Sequence, residues 1–406
     1  MGLDDVTLAA LRDDASRALP RTTALRHALH RTPEVGLDLP GTQGQVLEAL
    51  ADLDLEVSTG RALSSVTAVL RGSRPGPAVL LRADMDGLPV TEATREPFTS
   101  ERDGVMHACG HDLHVAGLVA AARLLDARRD EIAGSVVLAF QPGEEGYHGA
   151  RLMLEEGVLD AAGSRVVAAY GVHVFASTIP LGVVASRAGA LMAASDKVRV
   201  RVHGRGGHGS KPYLAADPVP VAAEIVLALQ AMVTRQFDVF DPVVVTVGRI
   251  EAGTTDNVIP DEALLQATVR TFSEATHAAV PDRLARVCEH VAAAHGLSVT
   301  VDYVRGYPVT VNDAAEVDRA RRLTRGMLGD DGWHEAPVPV PGAEDFSYVL
   351  EQVPGAFVFV GATPAGEDPQ TAAYNHSPRA RFADDALAVT PAVLAALALD
   401  RLAADR

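Results

Sequence analysis

The sequence predicts an α/β protein whose larger, discontinuous domain has a mostly parallel sheet and is interrupted by an inserted α+β unit. Three observations support this prediction. The chain has 406 residues, which is long for a single hydrophobic core. Strand-like and helix-like segments alternate in the regions 1–186 and 307–406, a pattern typical of parallel sheets. Between residues 187 and 306 this rhythm changes.

The first segment begins with a predicted amphipathic helix over residues 5–29, where apolar residues recur every three or four positions. A second helix is predicted over residues 113–127. Short apolar stretches predict strands at 65–70, 78–83, 136–140 and 166–172. Because these strands alternate with helices, we expect them to form one largely parallel sheet.

The inserted segment contains four predicted strands and two predicted helices in the order βαββαβ. In its first strand, Lys197, Arg199 and Arg201 alternate with valines, which is typical of a half-exposed strand. The other predicted elements are a helix at 217–234, strands at 243–250 and 263–271, a helix at 279–295 and a strand at 298–304. This order suits a small open-faced α+β sandwich. The last segment ends in a predicted helix over residues 384–402.

Composition and charge argue against several classes of protein. Hydrophobic residues make up 48% of the chain and charged residues 22%, as in globular proteins. The apolar runs are too short or too interrupted to span a bilayer. The net charge of −17 argues against a nucleic-acid partner. The N-terminus lacks the pattern of a secretory signal, so we expect a cytoplasmic protein with no membrane partner.

Side chains capable of metal or acid–base chemistry follow the predicted strands. Residues 82–87 end an apolar strand with two carboxylates, Asp84 and Asp86, although Asp and Gly also favour ordinary turns. Cys109 and His111 share a loop before a helix. Thiolate with imidazole suits Zn²⁺ or another late divalent ion. A buried thiol beside a chance histidine is the alternative.

Two adjacent glutamates, Glu144 and Glu145, follow another apolar strand. Gathering two carboxylates is unfavourable unless a cation or a proton occupies the site, so one could bind a metal ion while the other accepts a proton from water. Solvated loop acids are the alternative. His173 ends a further predicted strand, and His376 lies in a polar loop far down the chain. With the preceding thiol and imidazole, these residues offer enough ligands for two metal ions if one ligand is shared.

The inserted segment carries three further candidates. His208 lies in a glycine-rich loop, residues 204–210, which lacks the strand, sequence and helix arrangement of a phosphate-binding loop. Asn257 and Arg270 are candidates for binding a carboxylate. An ordinary surface charge is the alternative for Arg270.

The chain resembles the aminoacylase–carboxypeptidase family of dinuclear-metal hydrolases, especially its amidohydrolase branch. That branch includes hippurate hydrolases, indoleacetyl-amino-acid hydrolases and N-acyl-amino-acid hydrolases. The resemblance covers nearly the whole chain and rests on segments in family order: LHRTPEVGL, LLRADMDGLPV, MHACGHDLH, FQPGEEGYHGA, GVHV, GRGGHGSKP, NVIPDEA, GAEDFSY and NHSP. The combination of MHACGHD, PGEE and a late NHSP is highly specific.

The resemblance implies two divalent metal ions per subunit, with the Cys109 thiolate shared between them. Zn²⁺ is the first expectation, and Mn²⁺, Co²⁺ and Ni²⁺ are alternatives. Glu144 would be the general base, and Asp86 would be an acid behind the ligands. The implied metal ligands are Cys109, His111, Glu145, His173 and His376.

For the inserted segment, the resemblance implies a lid and dimerisation domain. His208 would reach the active site of the other subunit in a homodimer, while Asn257 and Arg270 would hold the substrate carboxylate. The sequence departs from the family at Tyr213, where relatives often carry His, and at Gly209-Ser210, where Ala-Ala is commoner. Both departures lie near the expected substrate mouth, so substrate preference cannot be transferred from the resemblance.

The implied function is metal-dependent hydrolysis of small N-acyl amino acids to a carboxylic acid and a free amino acid. The nearest alternative is a metallo-dipeptidase or carboxypeptidase that acts on dipeptides or related carboxylate-bearing amides. A metal-stabilised binding protein without catalysis is a third possibility. The presence of Glu144 beside a full ligand set argues against that last class, because binding alone requires no base beside the metal.

Overall fold

The protein is described by a computed structural model over residues 2–404. The fold in this range is α/β, as predicted. The α-helices, α1 to α9, are Asp5–Arg31, Pro40–Leu50, His111–Asp126, Gly149–Glu155, Pro218–Gln236, Glu274–Ala294, Ala314–Leu328, Ser347–Leu350 and Thr390–Ala404. The strands, β1 to β16, are Glu56–Thr59, Val66–Arg71, Arg74–Asp84, Ala133–Gln141, Ala168–Phe175, Val184–Ser186, Gly189–Met192, Ala194–His203, Gly207–His208, Val244–Ala252, Val258–Ile259, Glu262–Thr271, Ser298–Tyr307, Thr310–Asn312, Trp333–Glu335 and Gly355–Gly361.

The chain divides into two compact units. Unit 1 comprises Met1–Leu191, Val311–Val338 and Tyr348–Arg406, and unit 2 comprises Met192–Thr310 and Pro339–Ser347. The short second segment of unit 2 has no counterpart in the sequence prediction. The backbone N–H of Ala193 donates to the carbonyls of residues 340 and 342 at 3.1 and 2.9 Å, which ties this segment to unit 2.

Unit 1 is built on an eight-stranded sheet with the order β1-β2-β4-β3-β5-β16-β6-β15. Its central strands β4, β3, β5 and β16 are parallel, whereas β2 and β6 join them antiparallel. The parallel strands therefore end at one edge of the sheet, where ligands gather in α/β folds. Asp84 at the end of β3 lies opposite Gln141 at the end of β4.

Helix α3 fixes this edge of the sheet within the core. It packs against α1, α9 and β3, and all of its residues except Arg123 and Asp126 are buried. Each large aliphatic side chain buried in this way contributes about 1.5–3 kcal/mol. Because α3 is almost entirely buried, packing against its neighbours fixes the position of its first turn, which carries His111 and Asp112.

A buried ion network ties helix α1 to the first turn of α3. Arg26 donates from Nε to Asp112 Oδ2 at 3.0 Å, and His30 Nδ1 contacts the same oxygen at 2.9 Å. Burial lowers the pKa of His30, but the Asp112 and Glu92 carboxylates outweigh burial and raise the pKa to about 9. The network therefore anchors the helix end next to His111.

Two structural boundaries differ from the sequence prediction. Helix α9 begins at Thr390 rather than at 384, and residues 384–388 form a 3₁₀ turn. Pro391 lies in the first turn of α9, where its missing N–H has no cost. Strand β5 continues to Phe175, so His173 lies inside the strand and not after it.

Within residues 2–404, two stretches are long and apolar enough to span a bilayer by length and composition alone, Pro218–Gln236 and Asp384–Ala403. The most apolar window of the second stretch is 78% buried inside the protein, as expected of a core helix. The first stretch is helix α5, which packs against β12 and β10.

Unit 2 contains a four-stranded antiparallel sheet with the order β10-β12-β8-β13. Helices α5 and α6 pack on this sheet, which gives the predicted order βαββαβ. In β8, alternate valines are buried while Lys197, Arg199 and Arg201 are exposed, as the alternation predicts. A two-stranded ribbon of β9 and β11 is an addition that the sequence did not predict.

Candidate metal centre

Six of the predicted site residues converge at the edge of the unit 1 sheet. They form three overlapping groups in which the possible ligand atoms lie within 4.8 Å of one another. The groups are Cys109, His111 and His173; Cys109, Glu145 and His376; and His111, Glu144 and Glu145. Cys109, His111 and Glu145 each belong to two of these groups, and Cys109 is the member that the first two groups share.

The Cys109 thiol is buried, and two imidazoles face it. Its Sγ lies 3.3 Å from His173 Nε2 and 3.2 Å from His376 Nε2. Gly110 follows with φ of +81° and caps α3. A Cβ at this position would lie 2.5 Å from Val174 Cγ2, so a glycine is required for the turn that brings Cys109 and His111 together.

His111 is the first residue of α3 and points one ring nitrogen into the site. Its Nδ1 donates to the backbone carbonyl of Asp86 at 2.8 Å, whereas its buried Nε2 has no hydrogen-bond partner among the described residues. Burial lowers the pKa of His111, but the Asp84 carboxylate, the hydrogen bond to Asp86 and Cys109 together raise it well above the usual range. A buried nitrogen with this orientation fits a metal ligand, because ligand histidines donate their other N–H to a carbonyl or carboxylate.

Asp86 holds the turn that carries the two glutamates. Its Oδ1 accepts from the backbone N–H of Glu144 and its Oδ2 from that of Glu145, each at 3.0 Å. Both carboxylate oxygens are therefore engaged by the turn, and Asp86 is not placed to bind a metal ion directly. The bonds fix the backbone of the turn, and the carboxylates of Glu144 and Glu145 lie in one group of possible ligand atoms with His111.

His173 and His376 come from two different chain segments of unit 1. His173 Nδ1 donates to the carbonyl of Val174 at 2.9 Å, which leaves Nε2 for Cys109. Burial holds the pKa of His173 well below its usual range, so the ring is neutral. Without a metal ion, the Cys109 thiol and the Glu145 carboxylate raise the pKa of His376 to about 10.

The backbone of His376 is held in an unusual conformation. Its φ is +70°, a left-handed value that costs a non-glycine residue about 1–3 kcal/mol. The backbone N–H of His376 donates to the carbonyl of Ala108 at 2.8 Å. This bond joins the loop of His376 directly to the loop of Cys109 and keeps the two side chains close.

Sequence reasoning missed the role of Asn375, which is 8% exposed. Its Oδ1 accepts from the N–H of Ala176 at 2.9 Å, and its Nδ2 donates to the carbonyl of Val174 at 3.0 Å. Asn375 therefore fastens the end of β5 to the loop of His376. An asparagine in a polar loop gives no periodic signal, so only the motif NHSP pointed to it.

The donor set fits divalent metal ions. It combines one thiolate, three imidazoles and a carboxylate, which are the donors that Zn²⁺ and other late divalent ions prefer. The pKa values of His111 and His376 are raised by the carboxylates and the thiol that face them, whereas burial lowers that of His173 in the same cluster. The buried His111 Nε2 has no hydrogen-bond partner among the described residues. A metal ion bound to its lone pair would satisfy this nitrogen.

The other three predicted site residues lie in unit 2, and there they separate into two places. His208 in β9 pairs with Val258 in β11, and Gly209 N–H donates to the carbonyl of Asn257 at 2.8 Å. His208 and Asn257 are both exposed. Arg270 lies near the end of β12 opposite Ser195.

Arg270 is far from the ribbon within unit 2. The ribbon joins the main sheet near Glu262, at the other end of β12. From Glu262 to Arg270 the strand advances eight residues, or about 26 Å. The guanidinium of Arg270 donates to Thr268 Oγ1 at 2.6 Å, and burial lowers its pKa. The predicted pair of carboxylate-binding residues, Asn257 and Arg270, is therefore not brought together inside one copy of unit 2.

Comparison with known protein families identifies the chain at the family level. Residues 80–400 match the model of peptidase family M20/M25/M40. The chain belongs to this family. The matched range includes every candidate site residue described above, so the M20 assignment covers both the metal centre and the residues of unit 2.

Proteins similar to this chain differ in their named activities. The chain is 38% identical to thermostable carboxypeptidase 2 of Saccharolobus solfataricus over 86% of this chain and 88% of the relative. It is 35% identical to an N-acetylcysteine deacetylase of Bacillus subtilis over 93% and 96%. A solved Bacillus subtilis structure, described as a dinuclear metal-binding peptidase from family M20, superposes with a TM-score of 0.83 at 33% identity, covering 96% of this chain and 99% of that one.

Proposed function

We propose that the protein is a dinuclear-metal amidohydrolase that cleaves N-acyl amino acids into a carboxylic acid and a free amino acid. The observation that carries this proposal is the position of Glu144. It lies in the group of ligand atoms with His111 and Glu145, on a turn whose backbone is held by Asp86. A carboxylate held beside a metal-ligand cluster suits proton transfer, which simple metal binding would not require.

Two ions per subunit are proposed because the ligand groups overlap. Cys109 is shared by one group with His111 and His173 and by another with Glu145 and His376. The solved M20 relative described as dinuclear supports this count. We propose Zn²⁺ first, since the set contains a thiolate and three imidazoles, with Mn²⁺, Co²⁺ and Ni²⁺ as alternatives.

The bound ions would polarise the amide carbonyl and lower the pKa of a water molecule. Glu144 accepts a proton from the attacking water and delivers it to the nitrogen of the leaving amino acid. Asp86 holds the turn that carries Glu144 and Glu145 by accepting hydrogen bonds from their backbone N–H groups. Arg270 is proposed to bind the carboxylate of the substrate, which its half-buried guanidinium suits.

We also propose a cytoplasmic location. The described cysteines, Cys109 and Cys288, are unpaired and buried, as is usual where thiols stay reduced. The proposed role of Cys109 requires a free thiolate, which an oxidising compartment would endanger.

A substrate comparison tests the proposed reaction. After metal reconstitution, we expect kcat/KM for N-acetyl amino acids to exceed that for the matching dipeptides by about tenfold or more. The deacetylase relative supports this order, whereas the carboxypeptidase relative supports the reverse. N-acetyl amino acid amides are the matched control, since they lack the carboxylate that Arg270 would bind. Faster hydrolysis of dipeptides would establish the alternative activity.

A homodimer through unit 2 is proposed to complete the site. One copy of unit 2 keeps His208 and Asn257 apart from Arg270, so a site that needs all three would take them from two chains. The edge strand β10 offers an unpaired side for association, and Leu227 on α5 and Ile250 on β10 are exposed. We propose that His208 stabilises the developing oxyanion in the partner's site.

Complementation tests whether His208 acts across the dimer. The His208→Ala variant should keep its metal ions but have a lower kcat, because the substitution removes an interaction made in the transition state. Mixing His208→Ala with Glu144→Gln under conditions of subunit exchange should revive half of the sites in each mixed dimer. Each variant exchanged with itself is the control. Verified mixed dimers without recovered activity would show that His208 does not act in the partner's site.

A further inference from the structure

Two buried side chains below the metal centre, Asp84 and His114, take no part in the proposed chemistry. Asp84 ends β3 and is 0% exposed, and His114 lies one helical turn after His111 in α3 and is 2% exposed. A buried carboxylate beside a buried imidazole is unfavourable unless both are fully hydrogen-bonded. Their contacts therefore indicate what the pair does.

The hydrogen bonds of His114 fix its tautomer. The backbone N–H of Val174 donates to His114 Nε2 at 2.8 Å, so this nitrogen carries no proton. The proton therefore resides on Nδ1, which donates to Asp84 Oδ1 at 2.5 Å. Asp84 Oδ2 accepts from Arg82 at 2.5 Å. The ligand atoms of Asp84, His111 and His114 lie within 4.8 Å of one another, but both nitrogens of His114 are occupied, so the group is not a further metal site.

The bond to Val174 replaces a missing strand partner. Strand β3 pairs with β5 only as far as Arg82 opposite Gly171. Beyond that point β3 no longer accepts hydrogen bonds from β5, and a buried backbone N–H without an acceptor is destabilising. His114 accepts a hydrogen bond from the N–H of Val174, and Asn375 donates one to the carbonyl of Val174. The side chains of His114 and Asn375 therefore supply hydrogen bonds to β5 beyond the point where its pairing with β3 ends.

We propose that the Asp84–His114 pair is the positioning device of the metal centre, setting the spacing between the ligands His111 and His173. His114 lies on α3 with His111, and it accepts a hydrogen bond from the backbone N–H of Val174, the residue after His173. Asp84 orients His114, and its Oδ2 lies 3.7 Å from His111 Nε2. One short chain of hydrogen bonds therefore links the helix, β3 and β5 at the points where the ligands emerge. This inference rests on the proposed metal-dependent function.

Three variants of His114 separate positioning from general stability. In His114→Gln, the amide oxygen can accept from Val174 while the amide nitrogen donates to Asp84, because an amide spaces these atoms much as the ring spaces its nitrogens. In His114→Asn, the shorter amide reaches Asp84 but not Val174. His114→Leu removes both bonds. Leu118→Ala, a change of a fully buried residue farther along α3, is the matched control for lost packing.

Amide hydrogen exchange of Val174 in metal-free protein and the metal dissociation constant by chelator competition are the readouts. His114→Leu and His114→Asn should speed exchange at Val174 and weaken metal binding by about ten- to hundredfold. His114→Gln should restore both. In Co²⁺-loaded protein, the absorption band of the Cys109 thiolate should change in the Asn variant and return in the Gln variant. Leu118→Ala should lower the melting temperature and leave metal affinity unchanged.

Wild-type metal affinity in His114→Asn, or equal metal loss in Leu118→Ala, would overturn the inference and leave His114 a purely structural residue. If His114→Leu fails to fold, the comparison of Asn with Gln still decides. Failure of the proposed function is distinguishable, since the wild-type protein would then bind no divalent ion or hydrolyse no amide while the exchange of Val174 could still be measured.

Discussion

Replacing Glu144 with glutamine is expected to leave metal binding intact and to lower kcat by about 10²–10⁴-fold. The amide keeps the size of the side chain but cannot accept a proton from water. The backbone N–H of residue 144 can still donate to Asp86, so the turn should keep its conformation. Metal content by elemental analysis and kcat with an N-acetyl amino acid are the measurements.

Glu145→Gln is the matched variant, because it lies on the same turn and is held by the other oxygen of Asp86. Glu145 shares a group with Cys109 and His376, so its loss as a ligand should weaken metal binding. Activity should then recover in part at high metal concentration, unlike that of Glu144→Gln. Equal metal loss in both variants would mean that the two roles are shared or reversed.

Replacing Cys109 with alanine is expected to remove most of the bound metal and nearly all activity. Its Sγ contacts the Nε2 atoms of both His173 and His376, and no other described thiol lies in the cluster. Metal content and the thiolate absorption of the Co²⁺-loaded protein would follow the change.

The control is Cys288→Ala. Cys288 is buried in unit 2, where burial raises the pKa of its thiol to about 12, so it remains a protonated, apolar filler. This variant should keep full metal occupancy. Two ions bound per subunit in Cys109→Ala would refute the bridging role of the thiolate.

The fold followed from periodicity because unit 1 and unit 2 use different patterns of buried positions. Fully buried strands such as β4 and the alternating strand β8 have distinct sequence signatures. Element ends were predicted less well. His173 lies inside β5, because the strand continues along β16 after β3 has separated from it, and nothing local in the sequence marks that separation.

The convergence of the candidate ligands was predictable because these residues lie in short motifs at strand and helix ends. The hydrogen bonds that support these candidate ligands could not be predicted from the sequence. Whether His114 and Asn375 serve the backbone of Val174 depends on where β3 leaves β5, which is a property of the sheet. The separation of Asn257 from Arg270 likewise follows from the length of β12 and the added ribbon, and no spacing rule gave it.

The most direct test of the account is hydrolysis of an N-acetyl amino acid as metal is returned to chelator-treated protein. We predict no hydrolysis without metal and a rise in kcat that levels off at two equivalents of divalent ion per subunit, because the ligand groups overlap at Cys109. Full activity in the metal-free protein, or a plateau at one equivalent, would contradict the proposed dinuclear site.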